Sequence, residues 1–334
     1  MTKILIVAPS WVGDAVLAQP MFRRLHQRFP GLILDVLAPS WVAALFERMP
    51  EVNQIVLSPF QHGELKLAQR WRLGRTLADR GYDQAIVLPN SWKSALVPFF
   101  AGISLRTGFT GEMRVGLLND ARPLDKKQFP LMVERFALLG EQRGAKPQHP
   151  LAHPCLQVSA SRRENTLKIM GLDTQKSVAV FCPGAEYGPA KRWPAKYFAE
   201  LAQRLDNHQV WLVGSPKDQP IGEEIRQLSG GIAINLCGKT GLAEAIDLLS
   251  CASLIVSNDS GLMHIAAALD KPMIAIYGSS SPAFTPPLSP KAKILMLDLP
   301  CMPCFQRECP LGHFNCMMQL TPKQVLAKIE LKKL

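Results

Sequence analysis

The amino-acid sequence predicts an α/β protein built from two doubly wound domains that face each other across a cleft. Three observations lead there. Runs of Val, Ile and Leu recur with amphipathic stretches between them, the pattern of parallel strands covered by helices on both faces. A proline-bearing, aperiodic segment, RGAKPQHPLAHPCLQ at 143–157, divides this series in two and reads as a linker. The length, 334 residues, suffices for two ordinary cores.

The elements follow in order. KILIVAP (3–9) is a strand, and the amphipathic stretch from Ala15 to Phe29 is the helix after it. LILDVLAP (32–39) and QIVLSP (54–59) are the next strands; a helix over Leu65 to Arg80 leads into QAIVLPN (84–90). Beyond the linker, SVAVFCPG (177–184) opens a second series, continued by QVWLVGS (209–215), IAINLCG (232–238), LIVSND (254–259) and PMIAIYG (272–278). Helical patterns near 194–206, 216–229, 241–252 and 261–269 lie between them. The expected domains are 1–155 and 156–334, with a C-terminal helix free to pack back on the first. In such sheets ligands bind beyond the carboxyl ends of the strands. That rule selects the loops 8–14, 89–93, 183–193, 214–218, 238–241 and 258–264.

Composition narrows the class. Hydrophobic content of 47% with 19% charged residues describes a folded chain rather than a disordered one. No apolar run approaches the ~18–20 residues of a membrane span. After Lys3 only Ile4 to Ala8 are apolar before Pro9, so no signal peptide is expected and a cytoplasmic location follows. The formal net charge is +11, and residues 1–150 hold 19 of the 38 Lys and Arg but 12 of the 27 Asp and Glu. A basic surplus suits an anionic partner: nucleic acid, a phosphorylated substrate or a membrane face. It forms no basic run, which argues against a nucleic-acid groove.

Several loops could carry chemistry. In SNDSGLMHIAAALDKP (257–272) a strand ends and a helix starts at once. Asp259 or Ser260 can cap that helix, Gly261 permits close approach, and the free amides could hold a phosphate, with His264 one turn in. An ordinary capped helix is the competing account. GAEYGPAKRWP (184–194) puts Lys191 and Arg192 where a helix dipole disfavours cations, which a bound diphosphate would explain. The chain lacks G-x-x-x-x-G-K-[ST], G-x-G-x-x-G after its first strand, and any Asp-x-Asp. P-loop and dehydrogenase readings therefore weaken, and phosphate charge falls to Lys191, Arg192 and helix dipoles rather than to a metal.

In PSWVGDAVLAQP (9–20), Asp14 begins a helix at the cleft and can take a proton from a nucleophile, or serve only as a cap. In the 90–116 segment, Lys93, Arg106 and Arg114 could bind acceptor phosphates or belong to a solvated loop. Asp218 and Thr240 could touch ribose or phosphate, although turn and capping duties explain both. Finally, CMPCFQRECPLGHFNC brings Cys301, Cys304, Cys309 and Cys316 together with His313. C-x2-C with two further cysteines resembles a small zinc or iron–sulfur site, yet the x4 and x6 spacings are not a standard zinc pair, so metal and free thiols both stay open.

Four stretches, PSWVGD, LPNSWKSALVPFFAGISLRTGFTGEMRVGLLND, FCPGAEYGPAKRWP and NDSGLMHIAAALDKPMIAIYGSSSPAFTPPLS, resemble the ADP-heptose–lipopolysaccharide heptosyltransferases of glycosyltransferase family 9. The similarity runs in order over nearly the whole chain and is greatest to the type that adds the second heptose of the inner core. It implies a GT-B fold of two Rossmann-like domains, acceptor in the first and ADP-heptose in the second. It also implies an inverting enzyme with no cofactor and no catalytic metal. By position Asp14 matches the catalytic base and Lys191 the donor-pocket lysine. Asp259, Ser260, Gly261 and His264 match phosphate and sugar contacts; Glu186 falls at a donor contact whose residue type varies. The implied partners are ADP-heptose and a lipid A-linked acceptor, with peripheral contact at the inner face of the inner membrane. Rival readings are the type acting on an acceptor without heptose, a GT-B-fold sugar-nucleotide epimerase, and a non-enzymatic binder of anionic lipid or nucleic acid.

Overall fold

In the computed structural model, which describes residues 1–61 and 63–330, the Val-, Ile- and Leu-rich runs lie side by side as two parallel sheets. Residues 331–334, included in the expected second domain, lie outside the described residues. The chain divides into two units, Met1–Pro154 and Cys155–Leu334.

The first unit holds β1 (Lys3–Val7), β2 (Ile33–Pro39), β3 (Gln54–Ser58), β4 (Gln84–Val87), β5 (Leu105–Phe109) and β6 (Asp120–Arg122), in the order β3-β2-β1-β4-β5-β6. Ile4, Leu5 and Ile6 of β1 have no exposed surface, as expected of a central strand covered on both faces. Asp35 interrupts the apolar run of β2, yet it too is fully buried, because Tyr82 Oη (2.7 Å) and Asn53 Nδ2 (2.8 Å) donate to its carboxylate. Helices α3 (Ser40–Phe46), α4 (Leu67–Ala78), α5 (Leu96–Phe100) and α6 (Met132–Gly140) complete this unit together with a broken pair after β1.

That pair corrects the expected single helix over Ala15 to Phe29. The chain turns helical earlier, at Val12, and forms α1 (Val12–Leu17) and α2 (Gln19–Arg28) with a joint at Ala18. Pro20 explains the joint: it has no amide to donate and its ring crowds the carbonyl four residues back, so it is tolerated only in the first turn of a new helix. The break leaves α1 short and puts Asp14 in its first turn, next to the end of β1.

The second unit holds α7 (Ala160–Met170), β7 (Ser177–Cys182), α8 (Ala195–Gln203), β8 (His208–Leu212), α9 (Gln219–Leu228), β9 (Ala233–Asn235), α10 (Leu242–Cys251), β10 (Leu254–Asn258), α11 (Gly261–Ala268), β11 (Met273–Ile276), β12 (Ala292–Leu295), α12 (Asn315–Met318) and α13 (Pro322–Glu330). Its sheet order is β12-β11-β10-β7-β8-β9. Trp193, Phe181 and Phe198 are buried together, with the Trp193 and Phe198 rings edge to face at 4.8 Å. Trp193 Nε1 donates to Leu320 O at 2.7 Å, which fastens the C-terminal segment to this core. Helix α13 packs on α8 and β11 of its own unit. Among the described residues no helix is long and apolar enough to cross a membrane.

Each sheet has one place where the strand order reverses. In the first it lies between β1 and β4, in the second between β7 and β10. Loops leaving adjacent strands there diverge to opposite faces and open a crevice at the carboxyl ends.

Candidate active site

The first crevice presents Asp14 and Lys93. Asp14 is half-buried, and burial alone raises its carboxyl pKa to about 6, with no hydrogen bond or cation among the described residues to offset it. Such a group is ionised at neutral pH yet basic enough to take a proton. Lys93 sits in the short 3₁₀ turn Trp92–Ala95 after β4, and among the described residues its ammonium has no ion-pair partner.

Arg106 and Arg114, the other cations expected on an acceptor, are occupied within the protein. Arg106 donates Nε to Leu117 O at 2.7 Å and Nη1 to Ile103 O at 2.6 Å, and its guanidinium lies over the Phe99 ring. Arg114 is 3% exposed; its Nη1 donates to Pro89 O at 2.8 Å and its Nη2 to Phe109 O. A planar fork of donors satisfies several carbonyls at once, so these residues hold the 88–118 loop in shape. Their spacing among glycines could not distinguish that duty from ligand binding.

In the second crevice the loop after β7 meets the loop after β10. Lys191 Nζ lies 2.5 Å from Asp259 Oδ2, and Ser280 Oγ donates to the same carboxylate. Asp259 is 5% exposed, and the Lys191 ammonium also stands over the Tyr187 ring at 5.0 Å. Arg192 faces Asp218 at 3.8 Å, while Asp218 accepts from Ser215 N and Oγ and forms a capping box. Glu186 pairs with Lys217 at the exposed rim. The cations that seemed to demand a foreign anion thus already have protein carboxylates beside them. Asp259, expected among phosphate and sugar contacts, is an acceptor-only group: when ionised it repels phosphate but can accept from a sugar hydroxyl, and here it pairs with Lys191.

Ser260 stands at the N-cap of α11 in extended conformation but makes no capping hydrogen bond, so the first amides of that helix are left for another acceptor. His264, one turn in and 4% exposed, has its Nδ1 unpartnered. Burial drives its pKa down to about 4, with Asp259 raising it and Lys191 lowering it. The imidazole is therefore neutral near pH 7 and can donate or accept one hydrogen bond.

Three residues escaped the sequence reading. Asn258, fully buried, accepts from Trp193 N at 3.1 Å and donates Nδ2 to Pro183 O at 2.7 Å, clamping the two loops together. Ser280 braces Asp259, and the buried Ser279 has an unpartnered Oγ. Both serines follow β11 directly, so the carboxyl-end rule would have found them had it been applied to that strand. Thr240 Oγ1 is likewise buried without a partner.

Comparison with known proteins converges on one family. The family model for glycosyltransferase family 9 (heptosyltransferase) matches residues 70–315. Lipopolysaccharide heptosyltransferase 2 of Salmonella typhimurium is 48% identical over 98% of this chain and 97% of its own length, and that of Escherichia coli 47% over the same shares. The structure of Escherichia coli ADP-heptose lipopolysaccharide heptosyltransferase II superposes with a TM-score of 0.89 at 44% identity, covering 99% of this chain and 98% of that one.

Proposed function

We infer the reaction from one premise: this chain belongs to glycosyltransferase family 9, the heptosyltransferases. It is a glycosyltransferase of GT-B fold, and its reaction is that of the type 2 lipopolysaccharide enzymes it resembles. It moves L-glycero-D-manno-heptose from ADP-heptose to the first heptose of a lipid A-linked inner core. The observation that carries this reading is end-to-end similarity to heptosyltransferase 2, with 48% identity over 98% of the chain.

The two crevices supply complementary chemistry. Asp14, with a pKa of about 6, accepts the proton of the attacking heptose hydroxyl. The hydroxyl oxygen bonds to the anomeric carbon as the bond to ADP breaks, and the configuration inverts. Negative charge grows on the departing diphosphate, where Lys191 and the uncapped amides of α11 meet it. Neutral His264 and Ser279 offer unpartnered polar atoms for sugar or phosphate oxygens. Arg192 adds positive charge beside Asp218; Glu186 serves through Lys217 at the rim. Gly261 opens the helix without a side chain in the way of the diphosphate. Lys93 faces the acceptor, while Arg106 and Arg114 shape the loop that presents it. Because the acceptor is lipid-linked, the enzyme works in peripheral contact with the inner face of the inner membrane.

The test is heptose transfer from ADP-heptose to core acceptors with and without the first heptose, during brief exposure to EDTA, for the wild type and Asp14→Asn. Transfer confined to the heptosylated acceptor and a loss of about 10²–10⁴-fold in the variant support the reading. Preference for the heptose-free acceptor would assign type 1 instead. Turnover of the sugar nucleotide to an epimer without any acceptor would overturn transfer altogether.

A further inference from the structure

Four cysteines stay outside this chemistry. Cys301, Cys304, Cys309 and Cys316 lie beyond β12 and form no disulfide. All four line one cavity of about 20 Å³, with His313, Ala190 and Ser279 also in its wall. That space admits one water-sized species.

The backbone supplies a second, independent observation. Phe314 N donates to Cys309 Sγ at 3.4 Å. Left-handed residues at Gly312 (φ +71) and Phe314 (φ +50) bend the chain round that sulfur. A hydrogen bond to a sulfur fixes the side chain that carries it, and such partners orient a metal ligand. His313 Nδ1 already accepts from Asn315 N at 3.0 Å, so the sulfurs are the open ligand set. As placed, no three His, Cys, Asp or Glu side chains among the described residues converge on one point. An ion would draw inward, by side-chain rotation, thiols that already ring the cavity.

We propose that Cys301, Cys304, Cys309 and Cys316 bind one zinc-class divalent cation as a tetrathiolate, and that this ion clasps their loop to the loop bearing Lys191. Four thiolates suit a soft, tetrahedral ion. Each thiol that was protonated releases its proton on binding. The clasp has three points on the Lys191 loop. Arg307 O accepts from Ala190 N at 3.0 Å, and Phe305 O accepts from Tyr187 Oη at 2.6 Å. A Cβ on Gly188 would lie 2.4 Å from Arg307 O, so the loops meet backbone to backbone.

The full chain, purified under reductant and reconstituted with zinc chloride alone, is analysed for metal content and then exchanged with cobalt. The expected result is about one zinc per chain and the intense visible bands of tetrahedral cobalt with sulfur-to-cobalt charge transfer. Cys304→Ser and Cys309→Ser should each weaken binding at least ~10-fold, with Cys155→Ser unchanged. Less than about a tenth of an equivalent in the reconstituted wild type overturns the site, as does undiminished metal in the Cys304→Ser/Cys309→Ser double variant. If those variants do not fold, stepwise thiol modification of the folded wild type decides: release of the ion in proportion to modification supports the site, and retention after the four thiols have reacted overturns it. Amide hydrogen exchange over 184–192 should quicken several-fold when the ion is removed; unchanged exchange overturns the clasp.

Discussion

The burial that raises the basicity of Asp14, the proposed base, comes at the expense of stability. Its folded pKa of about 6 lies above the ordinary value of 3.8, so the folded state holds a proton more tightly than the unfolded one. Stability from this group is complete below about 4 and is lost as pH rises toward 6; above that the desolvated charge costs about 1–3 kcal/mol. Asp14→Asn should therefore raise the melting temperature at pH 8 while slowing transfer by about 10²–10⁴-fold, and calorimetry beside the transfer assay checks both. In the wild type, kcat/KM should climb with pH through about 6, a limb absent from the variant's residual rate. Lys191 presents the opposite case. Removing its ammonium leaves Asp259 buried with an uncompensated charge, at a cost of about 3 kcal/mol. Lys191→Met should thus lose both stability and activity. Adding Asp259→Asn should restore most of the melting temperature and none of the rate; recovery of rate would show that Lys191 acts only on Asp259. The sequence identified these residues but not their pairings. Lys191 and Asp259 are 68 positions apart, and only the fold makes them neighbours.

At the scale of elements, the long strands were legible because burial on both faces demands unbroken apolar runs, as in β1, β7 and β10. Strands such as β5, with the sequence LRTGF, and the three-residue β6 carry no such run and form because the neighbouring strand offers an edge. The joint at Ala18 was readable in principle from Pro20, whose effect the amphipathic pattern concealed. The crevice in the second unit depends on a different kind of element contact, the clamp of Asn258 on the loop after β7. Asn258→Ala would leave Trp193 N and Pro183 O unsatisfied in a buried setting. The expected cost is about 2–4 kcal/mol, with KM for ADP-heptose rising and kcat for bound substrate changing less. Steady-state kinetics with a thermal melt would test this. An unchanged KM would mean that Lys191 is positioned by Asp259 and Ser280 alone.

For the whole molecule, the distribution of charge bears on which substrate is steered. The chain carries a net +11, and residues 1–150 contribute seven of those charges while holding Asp14 and Lys93. Many of its arginines are tied to carbonyls or carboxylates, as Arg106, Arg114 and Arg122 show. Binding through such cations would be short-range and rigid. A surplus spread over the surface would instead produce a field felt by an anionic membrane or phosphorylated acceptor before contact, and salt would screen it within about 8 Å at physiological ionic strength. Donor capture should differ, because the Lys191 side chain is 15% exposed and the diphosphate contact proposed for it is local. Raising the salt from low to about 0.3 M should therefore reduce kcat/KM for the lipid-linked acceptor several-fold and leave the KM for ADP-heptose changed by less than about two-fold. Charge-reversing substitutions on the exposed Arg72 and Arg75 of α4 should reproduce the acceptor effect at low salt. If salt weakens both substrates equally, the surplus acts at the substrate sites themselves and not as a field over the first unit.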